Sequence, residues 1–259
     1  MPTSNNRVGE RIRALRKTGK KGVAFLIDPD DTWPGDRFEK VMEKVGTYTP
    51  LIILVGGSLV QKENVSSVID RIRAVSQSLP VLLFPGSVLQ LAPNADGVLF
   101  ISLISGRNPD LLIGQQVAAA PLLAASNLEI LPTGYLLVDG GKISSVHYMS
   151  QSVPLPNDKP DLAVATALAG YFLGMQFMYL EAGSGAVNPV SSEIIRAVSS
   201  DVPCPLIVGG GIDSIDKAKA AWKAGADWVV IGNAAQKNPD FFVEVLHCLE
   251  VFNLSLNVN

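Results

Sequence analysis

The chain has few of the residues that hold small secreted proteins and metal clusters together. Its 259 residues include only two cysteines, Cys204 and Cys248, and only two histidines, His147 and His247. A disulfide framework, or a zinc site of clustered Cys and His, needs more of these residues at closer spacing. We therefore expect both cysteines to be buried core thiols, in a protein of the reducing cytoplasm.

Positive charge is also scarce. The net charge is −3, and the longest basic stretch is RIRALRKTGKK at 11–21. Proteins that bind nucleic acid usually present a basic face, so the composition predicts no nucleic-acid partner. The first residues, MPTSNNRVGERIRALRK, carry charges where a secretion signal has an apolar core, which favours a cytoplasmic location.

One uncharged run, 162–180, approaches the roughly 20 residues that a membrane-spanning helix needs. Gly170, Gly174 and Gln176 interrupt it, and Glu181 follows it directly. These interruptions favour a buried helix followed by a buried strand over a membrane span.

Eight short apolar runs recur along the chain with helix-like segments between them. The runs are continuous rather than alternating in hydrophobicity, as in parallel strands covered on both faces. They lie at 22–28, 51–55, 81–84, 97–101, 134–139, 176–182, 205–210 and 227–233. Eight strands alternating with helices predict a single (β/α)8 TIM-barrel domain over 1–259. A doubly wound dinucleotide-binding fold would instead need GxGxxG after the first strand, where the chain has DPDD.

The helical segments are expected near 8–17, 36–46, 61–77, 108–126, 160–173, 189–199, 214–224 and 239–252. Asn108-Pro109, Asn188-Pro189 and Asn238-Pro239 each resemble an N-cap residue followed by proline at the first helical position. The third unit is irregular, because the dozen or so residues after 84 are too few for a helix with its loops. A degenerate third helix is therefore expected.

Three consecutive strand ends, those of the last three units, are rich in glycine. They carry Gly183-Ser184-Gly185, Gly210-Gly211 and Gly232-Asn233. Glycines in a single loop would indicate only a tight turn. In TIM barrels the last loops often bind phosphate through backbone N–H groups, so three adjacent loops favour a phosphate site.

Acidic side chains stand at other strand ends. Asp28 and Ser58 end neighbouring strands and could hold Mg²⁺, although Asp before Pro also starts many turns. Glu181 would lie beside the phosphate site and could accept a proton from a ligand hydroxyl, and Tyr179 points to the same side of its strand. The alternative for Glu181 is a carboxylate satisfied by backbone N–H groups of its own loop.

The motifs DPDD, VGGS, SGRNP, PTGYLLVDGG, YLEAGSGA, VGGGI and IGNA together resemble the geranylgeranylglyceryl phosphate synthase family, over roughly 21–242. The resemblance implies a modified TIM barrel that joins sn-glycerol-1-phosphate to a polyprenyl diphosphate through an ether bond, with Mg²⁺ and release of diphosphate. It also implies a homo-oligomer that could contact a membrane peripherally to release its product.

Carried over by position, Asp28 and Ser58 would bind Mg²⁺, and Glu181 would be the catalytic base. The glycerol phosphate would be bound by Tyr179, Leu180, Glu181, Ala182, Gly183, Ser184, Gly185, Gly210, Gly211, Gly232 and Asn233.

The chain departs from many family members at two positions near the metal site. Where relatives carry lysine it has Leu26 and Asp31, so Arg107 is our candidate for neutralising the diphosphate. The IDPD and SGRNP motifs resemble the branch that uses geranylgeranyl diphosphate, with a heptaprenyl-specific relative as the alternative. Small residues such as Ala163, Ala167 and Gly170 could leave an apolar groove for the prenyl tail, or could be plain packing.

Two other functions stay open at this stage. A phosphosugar isomerase or synthase on the same barrel would use an acid/base pair, for which Asp28 and Asp139 are candidates. A phosphoryl-ligand sensor would bind glycerol phosphate without turnover.

Overall fold

The computed structural model describes residues 7–31, 33, 36–46, 48–60 and 64–256. Its eight strands all run parallel, and β1 pairs with both β2 and β8, so that the sheet closes into a barrel. The strands are β1 Gly22–Ile27, β2 Leu51–Val55, β3 Val81–Leu83, β4 Gly97–Leu103, β5 Glu129–Leu137, β6 Phe177–Glu181, β7 Leu206–Gly209 and β8 Trp228–Ile231. The predicted eight-stranded barrel is confirmed.

The strands are hydrophobic on both faces because each face meets a different buried layer. In β2, for example, Ile52 and Leu54 pack inside the barrel, whereas Ile53 and Val55 pack outward against the helices. All four side chains are at most 2% exposed. This double burial explains why the apolar runs of the sequence do not alternate.

The helices surround the barrel in chain order. They are α1 Val8–Thr18, α2 Arg37–Val45, α3 Val65–Val75, α4 Gln115–Ala124, α5 Ser145–Ser150, α6 Pro160–Phe172, α7 Ser192–Asp201, α8 Ile215–Ala224, α9 Asn233–Lys237 and α10 Pro239–Ser255. The third unit has only a 3₁₀ turn, Val88–Gln90, so the degenerate third helix is confirmed. A π-helical turn, Asp110–Gly114, leads into α4. The short helices α5 and α9 were not predicted.

Two of the three predicted Asn-Pro helix starts match the structure. Asn238 accepts a hydrogen bond from the N–H of Phe241 and caps α10, while Asn108 accepts one from the N–H of Asp110. The start at Asn188-Pro189 is wrong, because α7 begins at Ser192 and is capped by Ser191. Asn188 instead donates its N–H to the Gly140 carbonyl and belongs to a loop.

Two burial predictions need correction. Cys204 is buried, but Cys248 of α10 is only partly buried. The run 162–180 is divided between α6 and β6, and α6 buries only its small residues Ala163, Ala167 and Gly170. Its residue Phe172 and the following Leu173 are 77% and 79% exposed. No helix in the described part of the chain is long and apolar enough to cross a membrane.

Helix α1 covers one end of the barrel. Val8 and Ile12 pack into the interior cluster, and the N–H of Gly9 donates to the carboxylate of Glu129, the first residue of β5. Because all strands run parallel, α1 closes the end where the strands begin. Ligands can therefore enter the barrel at the opposite end, where the strands finish.

Candidate active site

A cavity of about 420 Å³ opens at the carboxyl ends of the strands. The loops after β1, β2, β6, β7 and β8 contribute to its wall. Of the residues predicted from the sequence, its lining contains Asp28, Ser58, Glu181, Gly183, Ser184, Gly185, Gly210, Gly211, Gly232 and Asn233. The three glycine-containing loops, the acidic residue and the two candidate metal ligands thus share one cavity.

Several backbone donors of the glycine loops have no partner in the described part of the chain. The N–H groups of Ser184, Gly185, Gly210 and Gly211 make no hydrogen bond to any described residue. Backbone N–H groups left without a protein partner in a concave site are suited to binding an anion. The Asn233 side chain donates to the Ser184 hydroxyl at 3.1 Å, which ties the loop after β8 to the loop after β6.

Gly210 shows why this wall has no side chains. Its φ of +83° is one that residues with a Cβ rarely adopt. A Cβ there would lie 2.7 Å from the backbone nitrogens of Ala182 and Gly183, and even closer to the Glu181 carboxylate. The loop after β7 therefore packs directly against Glu181 and the loop that follows it.

Glu181 is the last residue of β6 and is 7% exposed. Its Oε1 accepts the N–H of Gly183 at 2.7 Å, so the backbone partner considered as an alternative from the sequence is present. The carboxylate nevertheless lines the cavity. Burial raises the pKa of Glu181 to about 7, against the opposing effect of the Gly183 hydrogen bond. At neutral pH this group can both take up and release a proton.

The remaining predicted residues of β6 and its loop lie behind the cavity wall. Tyr179 is buried inside the barrel, and Leu180 and Ala182 are buried between the barrel and the helices. The Tyr179 hydroxyl lies near Glu181, since each approaches within 2.7 Å of the point that a Gly209 Cβ would occupy. Within the described part of the chain this hydroxyl has no hydrogen-bond partner of good geometry.

Asp28 and Ser58 follow β1 and β2 and face the same cavity. Burial raises the pKa of Asp28, while the N–H of Asp30 donates to Oδ1 at 3.0 Å and opposes that shift. Gly57 allows this arrangement, because a Cβ there would lie 2.6 Å from Asp28 Oδ2. No group of three or more His, Cys, Asp and Glu that could hold a metal occurs among the described residues. One carboxylate and one hydroxyl suit Mg²⁺ that completes its shell with phosphate and water.

A second cavity of about 310 Å³ adjoins the first and is mainly apolar. The two cavities share Gly57, Ser58, Phe84, Tyr135 and Val146. The second extends between β3, β4 and α4, where its wall includes Leu91, Leu99, Leu103, Ala119 and Leu123. Sequence reasoning missed Tyr135 and Phe84, which stand where the two cavities meet and which both stack on Tyr179.

For the small residues of α6, the structure supports the alternative of plain packing over a groove for a prenyl tail. Ala163 and Ala167 are fully buried in the layer between strands and helices, and a Cβ on Gly170 would lie 2.7 Å from Ile104. These small residues allow close packing. The apolar cavity lies elsewhere, where the third helix is missing, and residues 87, 88 and 91 of the short third unit line it. The shortness of that unit was visible in the sequence and could have located this cavity.

Two further candidates lie outside both cavities. Arg107 is exposed, and its guanidinium donates to the carbonyls of Gly106 and Ile104 in its own loop. Asp139 is exposed and lines a separate depression with Asn157 and Asn188. The structure therefore does not bring Asp139 together with Asp28 as an acid/base pair.

Comparison with known proteins agrees with this geometry. The model of the PcrB family matches residues 16–248. The chain belongs to the PcrB family. A geranylgeranylglyceryl phosphate synthase of Spirosoma linguale is 50% identical over 245 residues, covering 95% of this chain and 98% of the relative. The synthase of Flavobacterium johnsoniae is 43% identical, covering 91% and 96%.

Solved structures of the same enzyme have the same fold. The geranylgeranylglyceryl phosphate synthase of Thermoplasma acidophilum, in complex with its substrate sn-glycerol-1-phosphate, superposes with a TM-score of 0.84 at 34% identity. The superposition covers 94% of this chain and 96% of that one. The enzyme of Thermoplasma volcanium gives 0.85 at 31% identity, covering 96% and 98%. These findings confirm the predicted family, the barrel and the class of enzyme.

Proposed function

We propose that this chain joins sn-glycerol-1-phosphate to geranylgeranyl diphosphate through an ether bond and releases diphosphate. The observation that carries this proposal is the junction of two cavities. One is polar, with unused backbone donors and Glu181, and the other is apolar. An acceptor with a phosphate and a hydroxyl suits the first cavity, and a prenyl chain suits the second. The relative from Thermoplasma acidophilum binds sn-glycerol-1-phosphate, which supports the choice of acceptor.

The acceptor's phosphate would bind the free N–H groups of the loops after β6 and β7, at Ser184, Gly185, Gly210 and Gly211. Gly232 and Asn233 complete this wall, and Asn233 holds Ser184 in place. With its phosphate fixed, the glycerol can direct a hydroxyl towards Glu181, which stands at the base of the same loop. Fixing both reactants in this way removes much of the entropic cost of their encounter.

In the reaction the bond between the first prenyl carbon and the diphosphate oxygen breaks, and the electron pair leaves with the diphosphate. The glycerol hydroxyl oxygen forms the new bond to that carbon and loses its proton to the Glu181 carboxylate. A buried carboxylate with a pKa of about 7 is suited to this step, because it is a stronger base than an exposed glutamate.

Asp28 and Ser58 are the residues that would hold Mg²⁺ in this site. When bound, the ion would neutralise negative charge on the departing diphosphate. Support comes from the donor set. It combines the Asp28 carboxylate, one oxygen of which accepts no hydrogen bond from a described residue, with a hydroxyl on the neighbouring loop.

We further propose that the chain forms a homo-oligomer in the cytoplasm, through the outer face of α4 and α6. This face exposes large apolar side chains on neighbouring units of the barrel. They are Ile113, Val117, Leu122, Leu162, Phe172 and Leu173. Large apolar side chains exposed together on a protein surface usually mark an interface. The lipid product would leave the second cavity at a membrane surface.

The direct test is to incubate the purified protein with labelled sn-glycerol-1-phosphate, Mg²⁺ and prenyl diphosphates of increasing length. We expect a butanol-extractable product, formed fastest with the geranylgeranyl donor. A maximum with heptaprenyl diphosphate would change the assigned donor but keep the reaction. Binding of glycerol phosphate without turnover of any donor would indicate a sensor and overturn the proposal.

A further inference from the structure

In the polar cavity, the negative charge of the protein and of its proposed substrates is not balanced by the residues described so far. The lining of this cavity includes the carboxyl groups of Asp28, Glu181 and Asp213, of which only Asp213 is paired with a cation among the described residues, Lys217 of α8. The proposed reaction adds a phosphate and a diphosphate to the same space. Charges that are brought together in a partly buried site repel strongly unless cations balance them. Leu26 supplies no charge, and Arg107 lies outside the cavity.

One cationic side chain does line this cavity in the described part of the chain, and it is Lys237. Lys237 is the last residue of α9, and its carbonyl accepts a hydrogen bond from Arg37 at the start of α2. Its ammonium group makes no hydrogen bond or ion pair with any described residue. A lysine that has no partner among the described residues, on the wall of a site for anions, is available to a ligand.

The course of α9 indicates which ligand this is. The helix begins at Asn233, which is bonded to Ser184 of the phosphate loop, and ends at Lys237, which is held by α2. Its first turn therefore faces the acceptor side of the cavity, and its last residue faces the side of β1 and the loop that carries Asp28.

The acceptor side has a different lysine. Lys142, in the loop after β5, places its Nζ 3.3 Å from the point that a Gly185 Cβ would occupy. This ammonium group stands next to the loop proposed to hold the glycerol phosphate. Lys142 itself is not part of the cavity lining, so it stands beside the acceptor loop, whereas Lys237 lines the wall and is held by α2.

We propose that Lys237 binds the diphosphate of the prenyl donor and stabilises it as it leaves. This inference rests on the proposed function. As the carbon–oxygen bond breaks, its electron pair passes to the diphosphate, whose negative charge increases beside the ammonium group. Lys237 donates hydrogen bonds to the diphosphate oxygens and keeps its protons throughout, so that no further reactant is needed. An interaction that strengthens as charge develops accelerates the reaction.

The test compares Lys237→Met with Lys237→Arg and with Lys223→Met, a control that removes an exposed lysine of α8 outside the cavity. For Lys237→Met we expect KM for geranylgeranyl diphosphate to rise about tenfold, because one charge-assisted hydrogen bond is lost. KM for glycerol phosphate should change less than about twofold. kcat should also fall. Lys237→Arg should retain most of the donor affinity, and Lys223→Met should match the wild type.

A binding measurement separates this inference from the proposed function. Calorimetric titration with inorganic diphosphate, at fixed Mg²⁺, should show about tenfold weaker binding to Lys237→Met than to the wild type or Lys223→Met. Equal affinities, or a KM effect confined to glycerol phosphate, would overturn the role of Lys237 even if the wild type makes the ether product. A wild type without product would overturn the proposed function, while the titration still reports on Lys237.

Discussion

At the scale of single residues, the environment of Glu181 suits this carboxylate to the proposed proton transfer. The carboxylate ends a buried strand, accepts one backbone N–H from Gly183 and remains open to the cavity. Its burial makes it a better base than an exposed glutamate, and its hydrogen bond fixes its orientation. The hydrogen bond from Gly183 stabilises the loop. In the proposed reaction it also holds the Glu181 carboxylate in place for proton transfer.

The substitution Glu181→Gln tests this role with little change in shape. The side-chain carbonyl of the introduced glutamine can still accept the Gly183 N–H, but its amide cannot take a proton. We expect kcat to fall by about 10²- to 10⁴-fold, with KM for glycerol phosphate nearly unchanged. Steady-state kinetics, with circular dichroism to verify folding, provide the measurement. A kcat within about threefold of the wild type would exclude Glu181 as the base.

The raised pKa of Glu181 also predicts a pH dependence. The base must be deprotonated, so kcat/KM for glycerol phosphate should rise with pH up to about 7 and then level off. The substrate phosphate itself titrates near about pH 6, so its ionisation must be separated from that of the enzyme. In Glu181→Gln, the pH profile of the residual activity should no longer change near pH 7. Only the change caused by ionisation of the substrate phosphate should remain. A wild-type profile that follows the substrate alone would contradict the assignment.

At the scale of elements, the short third unit leaves room for the apolar cavity. A full helix after β3 would fill the space that the apolar cavity uses between β3, β4 and α4. Gln90 in the 3₁₀ turn makes up for part of the missing helix. Its side chain bonds the backbone of Gly57 and Gly86 and joins the loops after β2 and β3.

A larger residue in α4 should shorten the preferred donor. Ala119 is buried and lines the apolar cavity, whereas Ala120 on the same helix is exposed. Ala119→Phe should reduce kcat/KM for geranylgeranyl diphosphate by about tenfold or more and affect geranyl diphosphate much less, since overfilling a packed site costs about 1–3 kcal/mol. Ala120→Phe is the matched control. Competition between donors of different length measures the ratio, and equal losses for all lengths would argue against the assigned groove.

The sequence predicted elements well where one local pattern determines them. Residues buried on both faces, as in β2, produce continuous apolar runs, and Asn238-Pro239 combines a cap with a preformed first turn. Asn188-Pro189 has the same local pattern, but a hydrogen bond to Gly140 in a distant loop determines its conformation. The short helices α5 and α9 have too few residues to show periodicity.

The site was predictable in part for the same reason. Glycines at strand ends and Glu181 after an apolar run are visible in the sequence, because parallel strands finish at one end of a barrel. The apolar cavity was not predictable from the sequence. Tyr135 and Ala119 line the same cavity only because the closed sheet brings their elements together. The direction of a flexible side chain such as Lys237 or Arg107 also depends on tertiary structure. The periodicity of the sequence does not predict it.

At the scale of the whole molecule, the two sides of the barrel differ. Helix α6 buries alanine and glycine and exposes Phe172. This is the reverse of the usual amphipathic helix, which buries its large apolar side chains. The exposed side chains favour burial of this face against another protein surface. On the preceding unit of the barrel, α4 and the π-helical turn before it also expose apolar side chains. A second copy of the chain would remove both sets from water.

Introducing a charge into this surface should separate the subunits. Phe172→Glu places a carboxylate in this surface, where burial without a partner costs several kcal/mol, so we expect the association constant to fall by at least about 100-fold. Val251→Glu on α10, also an exposed apolar position, should leave association unchanged. Sedimentation velocity over a range of concentrations measures both variants against the wild type. Because Phe172 lies outside both cavities, each separated subunit should keep its affinity for glycerol phosphate. An unchanged sedimentation profile for Phe172→Glu would exclude this face as the interface.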